Sequence, residues 1–201
     1  MDLELYKKNA YASHQPIVRH VLSLIEDLPI LELGSGDGST TLIHELSQNF
    51  KITVDSDEGW ISKYRHLENK NHKFLCIKNF DEWFSVYDQF NYYGLVFVDQ
   101  GCWTSRAKAI EYLKNKSKFI ILHDCCYYPK TKQFGQQTSN KSSITCCSVT
   151  KQCPCGDMQN YTRTYSDVFT YFKEFISPYG PPTLLGSNTI DVSEIHIDML
   201  K

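Results

Sequence analysis

The chain has 201 residues, 41% apolar and 13% aromatic, with a formal net charge of −2 at pH 7. That length and apolar content predict one packed domain and exclude an intrinsically disordered chain. The charge gives no broad electrostatic case for nucleic acid, and the sequence shows neither a signal-peptide layout at its start nor an apolar run of membrane-spanning length, so a soluble cytoplasmic protein is expected.

From Pro16, the residues Ile17, Val18, Val21, Leu22 and Ile25 follow a helical period, with proline suited to the first turn. Ile30 to Leu33 reads as a buried strand, and Gly34, Gly36 and Gly38 as a tight turn opening into a helix from Ser39 to Gln48, with Leu42, Ile43 and Leu46 on one face. Lys51 to Val54 is the second strand, ending at Asp55. Asp57 is placed to cap a helix whose Trp60, Ile61, Tyr64 and Leu67 share a face. A short third strand spans Lys73 to Ile77, and a helical stretch begins at Asp81 and runs through Trp83, Phe84 and Tyr87. Leu95 to Val98 is the fourth strand, ending at Asp99. A helix over Ser105 to Lys114, with Ala109, Ile110 and Leu113 inward, leads to a fifth strand, Phe119 to Leu122, ending at His123-Asp124.

Between Cys125 and Thr164 no period is sustained, far beyond ordinary loop lengths. This stretch reads as a lid or substrate loop, or as a locally stapled insertion. It carries Cys125, Cys126, Cys146, Cys147, Cys153 and Cys155, whose spacings do not match the C-x2-C pairs of common zinc sites. Free thiols, disulfides and a metal all remain open. A helix is predicted over Ser166 to Ile176, with Val168, Phe169, Phe172 and Phe175 inward. Thr183 to Leu185 and Glu194 to Met199 then read as two strands, joined through Asn188 as an antiparallel pair. The order predicts an α/β fold, a doubly wound Rossmann-like parallel sheet ending in an antiparallel hairpin, in a single domain over residues 1–201 with a Cys-rich insertion at about 125–164.

The glycine turn, Ile30-Leu-Glu-Leu-Gly-Ser-Gly-Asp-Gly-Ser39, departs from the dinucleotide fingerprint G-x-G-x-x-G because its third glycine comes one residue early. Glu32 would repel a phosphate there and attract an ammonium group. The E-x-G-x-G-x-G pattern resembles motif I of the class I S-adenosylmethionine-dependent methyltransferases, and the element order over most of the chain is similar to their seven-stranded fold. The resemblance implies S-adenosylmethionine as cofactor. Glu32 and the turn Gly34, Ser35, Gly36 and Gly38 would hold its amino-acid end, Asp55 its ribose hydroxyls, and Asp81, with Asn79 as competitor, its adenine amino group. Asp55 also suits a turn, and Asp81 a helix cap.

Asp99 and Asp124 end neighbouring strands, where two carboxylates share a proton or hold a divalent cation. The segments Val96-Phe-Val-Asp-Gln-Gly and Ile120-Ile-Leu-His-Asp look similar to the catechol-type small-molecule O-methyltransferases, which implies magnesium at Asp99 and Asp124 and a small-molecule hydroxyl as acceptor. Cys125 departs from that pattern, since a thiolate is a poor magnesium ligand, and Asp124 equally suits a loop anchor. His123 and His14 are candidate general bases, and Trp103, Tyr127 and Tyr128 are candidate pocket walls. Two other functions fit less of the chain: an RNA ribose methyltransferase using Lys8, Asp99, Lys130 and Glu194, and a non-catalytic scaffold with a partner-binding Cys-rich loop. No membrane or nucleic-acid partner is expected.

Overall fold

In the computed structural model, residues 4–101, 103–125, 168–175, 177 and 179–199 are described. Seven strands form one sheet in the order β3-β2-β1-β4-β5-β7-β6. The strands are β1 (Ile30–Leu33), β2 (Lys51–Asp55), β3 (His72–Cys76), β4 (Tyr93–Val98), β5 (Ser117–Leu122), β6 (Tyr171–Phe175) and β7 (Thr183–Ser187). β1 to β5 pair in parallel, and β7 runs antiparallel to both β5 and β6. The helices are α1 (Gln15–Leu22), α2 (Thr40–Leu46), α3 (Glu58–Tyr64), α4 (Phe84–Tyr87) and α5 (Trp103–Leu113). No described helix is long and apolar enough to cross a membrane.

Strand periodicity explains the two cores. Ile30, Leu95, Phe97, Phe119 and Ile121 point to one face and pack with Ile17, Val18 and Val21 of α1 and Leu42 and Ile43 of α2. Their neighbours Leu31, Leu33, Val96, Val98, Ile120 and Leu122 point to the other face, against Trp83, Val86, Ile110 and Leu113. Both faces are therefore apolar, and β4 and β5 read as hydrophobic runs over Leu95–Val98 and Phe119–Leu122. The register sets Leu33 beside Val54 and Val98, and Val98 beside Leu122. Gly34, Asp55, Asp99 and His123 consequently emerge together at one edge of the sheet.

Several boundaries differ from the sequence reading. α2 ends at Leu46, which is 40% exposed because the chain turns away there toward β2. β3 starts one residue early, at His72, and Trp60 is exposed at the cavity wall and not on the inward face of Ile61 and Tyr64. The stretch after Asn79 is a 3-10 turn, Phe80–Trp83, followed by the single turn of α4.

The larger correction is at the chain's end. Within the helix expected over Ser166 to Ile176, Tyr171–Phe175 is instead the edge strand β6, since aromatic residues favour a strand where a sheet edge can be paired. The hairpin is thus β6–β7, and Asn188 is not its joint; it donates to the Lys114 and Val168 carbonyls. With that edge taken, Glu194 to Met199 forms no strand. It lies over the α1 face, where Ile195, Ile197 and Met199 cover the core and Lys173 donates to the carbonyls of Ser193 and Ile195.

The N-terminal segment closes against the residues before β7. Ser13 donates to the Pro181 carbonyl at 2.8 Å, and the rings of Tyr6 and Tyr179 meet edge-on at 5.9 Å. Gly180 lies so close to the Ala10 carbonyl that no side chain would fit between them. Of the Cys-rich stretch only Cys125 is described. Cys126, Cys146, Cys147, Cys153 and Cys155 lie outside the described residues, as do Tyr127, Tyr128, Lys130 and the side chain of Trp103.

Candidate functional site

The glycine turn is built from below. Gly34 has φ +93°, and a Cβ on it would stand 2.6 Å from the Asp99 carbonyl carbon and the Gln100 nitrogen, so no other residue fits. Ser35 donates its backbone N–H and its hydroxyl to Asp55 Oδ2, both at 2.8 Å, while Asp57 N–H donates to Oδ1 at 3.0 Å. Asp55 thereby ties the turn to the end of β2.

Glu32 has a different role from the one expected. It is 1% exposed and lies under the turn, off the cavity wall. Thr40 donates to its Oε1 at 3.0 Å and Thr53 to its Oε2 at 2.6 Å, and Gly36 N–H donates in turn to the Thr40 hydroxyl. Burial pushes the carboxyl up to about 7, opposed by hydrogen bonds from Ser39, Thr53 and Thr40. A polar chain continues outward. Because the Thr53 hydroxyl donates to Glu32, it accepts from His72 Nε2 at 2.8 Å. His72 Nδ1, left without a proton, accepts from His44 Nδ1 at 3.0 Å. Burial, with Lys51 nearby, lowers the His72 ring to about 3, so it stays neutral.

Above the turn opens a cavity of about 600 Å³. Its walls are Asn9, Tyr11 and His14 from the N-terminal segment, the turn from Gly34 to Ser39, Asp55 to Asp57 and Trp60 from the end of β2 and α3, and Asp99 to Gly101 after β4. Gln15 holds the first wall to the turn by donating to the Gly38 carbonyl at 3.0 Å. Four aspartates, Asp37, Asp55, Asp57 and Asp99, line this space, and no lysine or arginine does among the described residues.

Asp99 sits in a closed network. Its Oδ1 accepts from Arg106 Nη2 at 2.9 Å and its Oδ2 from His123 Nδ1 at 3.2 Å. The single Ser13 hydroxyl proton goes to Pro181, so Ser13 Oγ must accept from His123 Nε2 at 3.2 Å. Both ring nitrogens of His123 then carry protons. Burial alone would lower this ring, but the Asp99 carboxylate more than reverses that and raises it. Burial would likewise raise Asp99, yet His123 and Arg106 bring it down to about 2. Asp124 lies across the ring, 3.7 Å from Nε2, with φ +56°, and burial raises its carboxyl.

A divalent ion does not fit this arrangement. Asp99 and Asp124 flank opposite nitrogens of one imidazolium, and both oxygens of Asp99 already have cationic partners. Cys125 Sγ is turned to Glu174 at 3.3 Å. The donor atoms of His14, Asp99 and His123 lie within 4.8 Å of one another, but both His123 nitrogens carry protons and the Asp99 carboxylate is already paired with two cations, which leaves a metal only the His14 ring as an unpaired ligand. His123 is for the same reason no base.

His14 is 1% exposed, packed edge-on to His123 at 4.4 Å and tilted against Phe97 at 4.8 Å. Neither ring nitrogen makes a hydrogen bond. Burial and the neighbouring His123 cation lower its pKa to about 3 against a weaker pull from Asp99 and the Gly38 backbone, so the ring is neutral. The side-chain amide of Gln100, 2% exposed, is also without partners at both ends. Asp81 is removed from the site. It is exposed and pairs with Lys108 at 3.3 Å, while Asn79 caps the turn before α4, and neither lines the cavity. Ser13, Arg106, Gln100, Thr40, Thr53 and His72 escaped the sequence reading.

No family model matches the chain, and no curated protein matches its sequence. Its fold is found among solved structures. A candidate caffeoyl-CoA O-methyltransferase from Staphylococcus aureus superposes with a TM-score of 0.55 at 16% identity, over 84% of this chain and 79% of the other. A candidate O-methyltransferase from Klebsiella pneumoniae gives 0.54 at 13% identity, over 92% and 88%. The O-methyltransferase TomG of Streptomyces achromogenes, involved in tomaymycin synthesis and solved with S-adenosylmethionine, gives 0.51 at 12% identity, over 90% and 88%. The seven-stranded sheet with its terminal antiparallel hairpin is the methyltransferase fold.

Proposed function

We propose that this chain transfers a methyl group from S-adenosylmethionine to a hydroxyl of a small cytoplasmic molecule, without a metal ion. The observation that carries this reading is the cavity at the carboxyl edge, where the Gly34–Gly38 turn is locked to Asp55 beneath four lining aspartates. Such a wall suits a cofactor of net positive charge. The likeness of the fold to TomG, which binds that cofactor, supports the same reading.

When bound, the cofactor supplies an electrophilic methyl carbon on a sulfonium. The chain's residues do the rest. The backbone of Gly36 and Gly38 would admit the amino-acid end, with Glu32 and Thr40 keeping the turn in shape, and Asp55 in the cavity wall would accept from the ribose. The His14 ring would accept a hydrogen bond from the acceptor hydroxyl on a free nitrogen and so orient its oxygen toward the methyl group, while the proton would leave to solvent water, since burial and the His123 cation keep this ring from holding it. The Asp99–His123–Arg106 network holds His14 in place and keeps it neutral. The RNA reading has less support, because the aspartate-lined cavity opposes a polyanion and Lys8 and Glu194 are both exposed, away from its walls.

The test is calorimetric titration with S-adenosylmethionine and with NAD, each with and without magnesium. Binding of S-adenosylmethionine alone, in the micromolar range and unchanged by magnesium, is the expected result. Absence of that binding overturns the function, and a magnesium requirement overturns the metal-free mechanism.

A further inference from the structure

Two side chains in the cavity wall are buried, polar and unpaired. His14 offers a bare ring nitrogen, an acceptor, and Gln100 offers an amide with a donor and an acceptor. Buried polar groups in native folds are almost always satisfied, so two orphaned side chains in one cavity mark a place where a ligand completes the set. They belong together. His14 has a ring nitrogen within 4.8 Å of the Asp99 carboxylate, and Gln100 is the next residue, its carbonyl pinned by Arg106 Nε at 2.5 Å. Both are uncharged.

The charged neighbours are already spoken for. Arg106 donates to the carbonyls of Gln100, His123 and Asp99 and to the Asp99 carboxylate. His123 donates to Asp99 and Ser13. Among the described residues of this wall, no cation is left to pair with an anionic ligand, and an unpaired buried anion is strongly disfavoured.

We propose that His14 and Gln100 form the acceptor subsite, and that it selects an uncharged hydroxyl compound over a carboxylated or phosphorylated one. The acceptor hydroxyl donates to the His14 ring and accepts from the Gln100 amide, one proton in each direction. This inference rests on the methyl-transfer reading above. It adds Gln100 as the residue that sets specificity, and it separates this site from enzymes whose acceptors carry negative groups.

Phenol and benzoate distinguish the alternatives, being of similar shape, the first uncharged and the second anionic at neutral pH. Protein with 15N-labelled histidine, saturated with S-adenosylhomocysteine, is titrated with each while the His14 ring nitrogen resonances are followed. Phenol is expected to shift them saturably at millimolar concentration, with benzoate at least tenfold weaker. Gln100→Leu is expected to weaken phenol about tenfold, while Gln100→Asn, which keeps the amide, recovers part of the loss. Benzoate equal to phenol, no response at His14 to either probe, or a Gln100→Leu variant that binds phenol unchanged overturns the proposal. S-adenosylhomocysteine binding, measured on each variant, reports folding separately. Its absence from the wild-type protein overturns the methyl-transfer reading instead of the subsite.

Discussion

Glu32 shows how one buried side chain sets a pH dependence. Its carboxyl is pushed up to about 7 by burial from an ordinary 4.5, so the folded state keeps a proton that the unfolded chain has lost across that window. The contribution is fully present below the unfolded value and is lost as pH rises toward 7, by about 1.4 kcal/mol per pH unit. Urea unfolding at a series of pH values should show this slope as the difference between the wild-type protein and Glu32→Gln, since His14 and His72, lowered to about 3, contribute the opposite sign below 6.5 in both proteins. A constant offset is expected as well, because glutamine cannot accept from both Thr40 and Thr53. Acidic residues at strand ends were legible in the sequence because an apolar run stops there, and Asp55 and Asp99 stand where that reading put them. The direction in which Glu32 works was not legible. Its partners Thr40 and Thr53 are 8 and 21 residues away, and only the β1–β2 register brings Thr53 opposite it. Gln100 gave no signal, since a buried amide becomes informative only once its missing partners are known.

At the scale of elements, the three turn glycines are not equivalent. Gly34 combines φ +93° with backbone atoms 2.6 Å from any added Cβ, whereas Gly36 meets nothing closer than the Ser39 hydroxyl at 3.9 Å. Gly34→Ala should fail to accumulate as folded protein. Gly36→Ala should keep its stability within about 1 kcal/mol and lose affinity for S-adenosylmethionine, because its new methyl group enters the cavity. Thermal unfolding and calorimetry on the same samples check both outcomes. Equal effects on folding would mean that the turn's shape, and not the space above it, requires Gly36. The parallel strands were readable because both faces of the sheet are apolar. The terminal elements were not, since Val168, Phe169, Phe172 and Phe175 satisfy a helical period that the open edge beside β7 overrides.

For the whole molecule, a net charge of −2 conceals an uneven distribution, with four aspartates around one cavity. Affinity for S-adenosylmethionine should therefore fall several-fold as salt rises from about 0.05 to about 0.5 M. S-adenosylhomocysteine, which lacks the sulfonium charge, should hardly respond. Equal salt dependence of the two would remove the electrostatic argument for the cofactor. The seam between the N-terminal segment and the residues before β7 has a further consequence, for the order of events during synthesis. Ser13 and Pro181 are 168 positions apart, and that bond, with the Tyr6–Tyr179 contact, holds the segment carrying His14 against the sheet. Contacts so distant in sequence form late. On the ribosome, α1 and the glycine turn emerge before β7, yet the wall that bears His14 must wait for Pro181, 168 positions after Ser13, before it can close. A nascent protein can thus complete its glycine turn well before the opposite wall of the cavity is in place, so that a segment made before the sheet is among the last to settle against it.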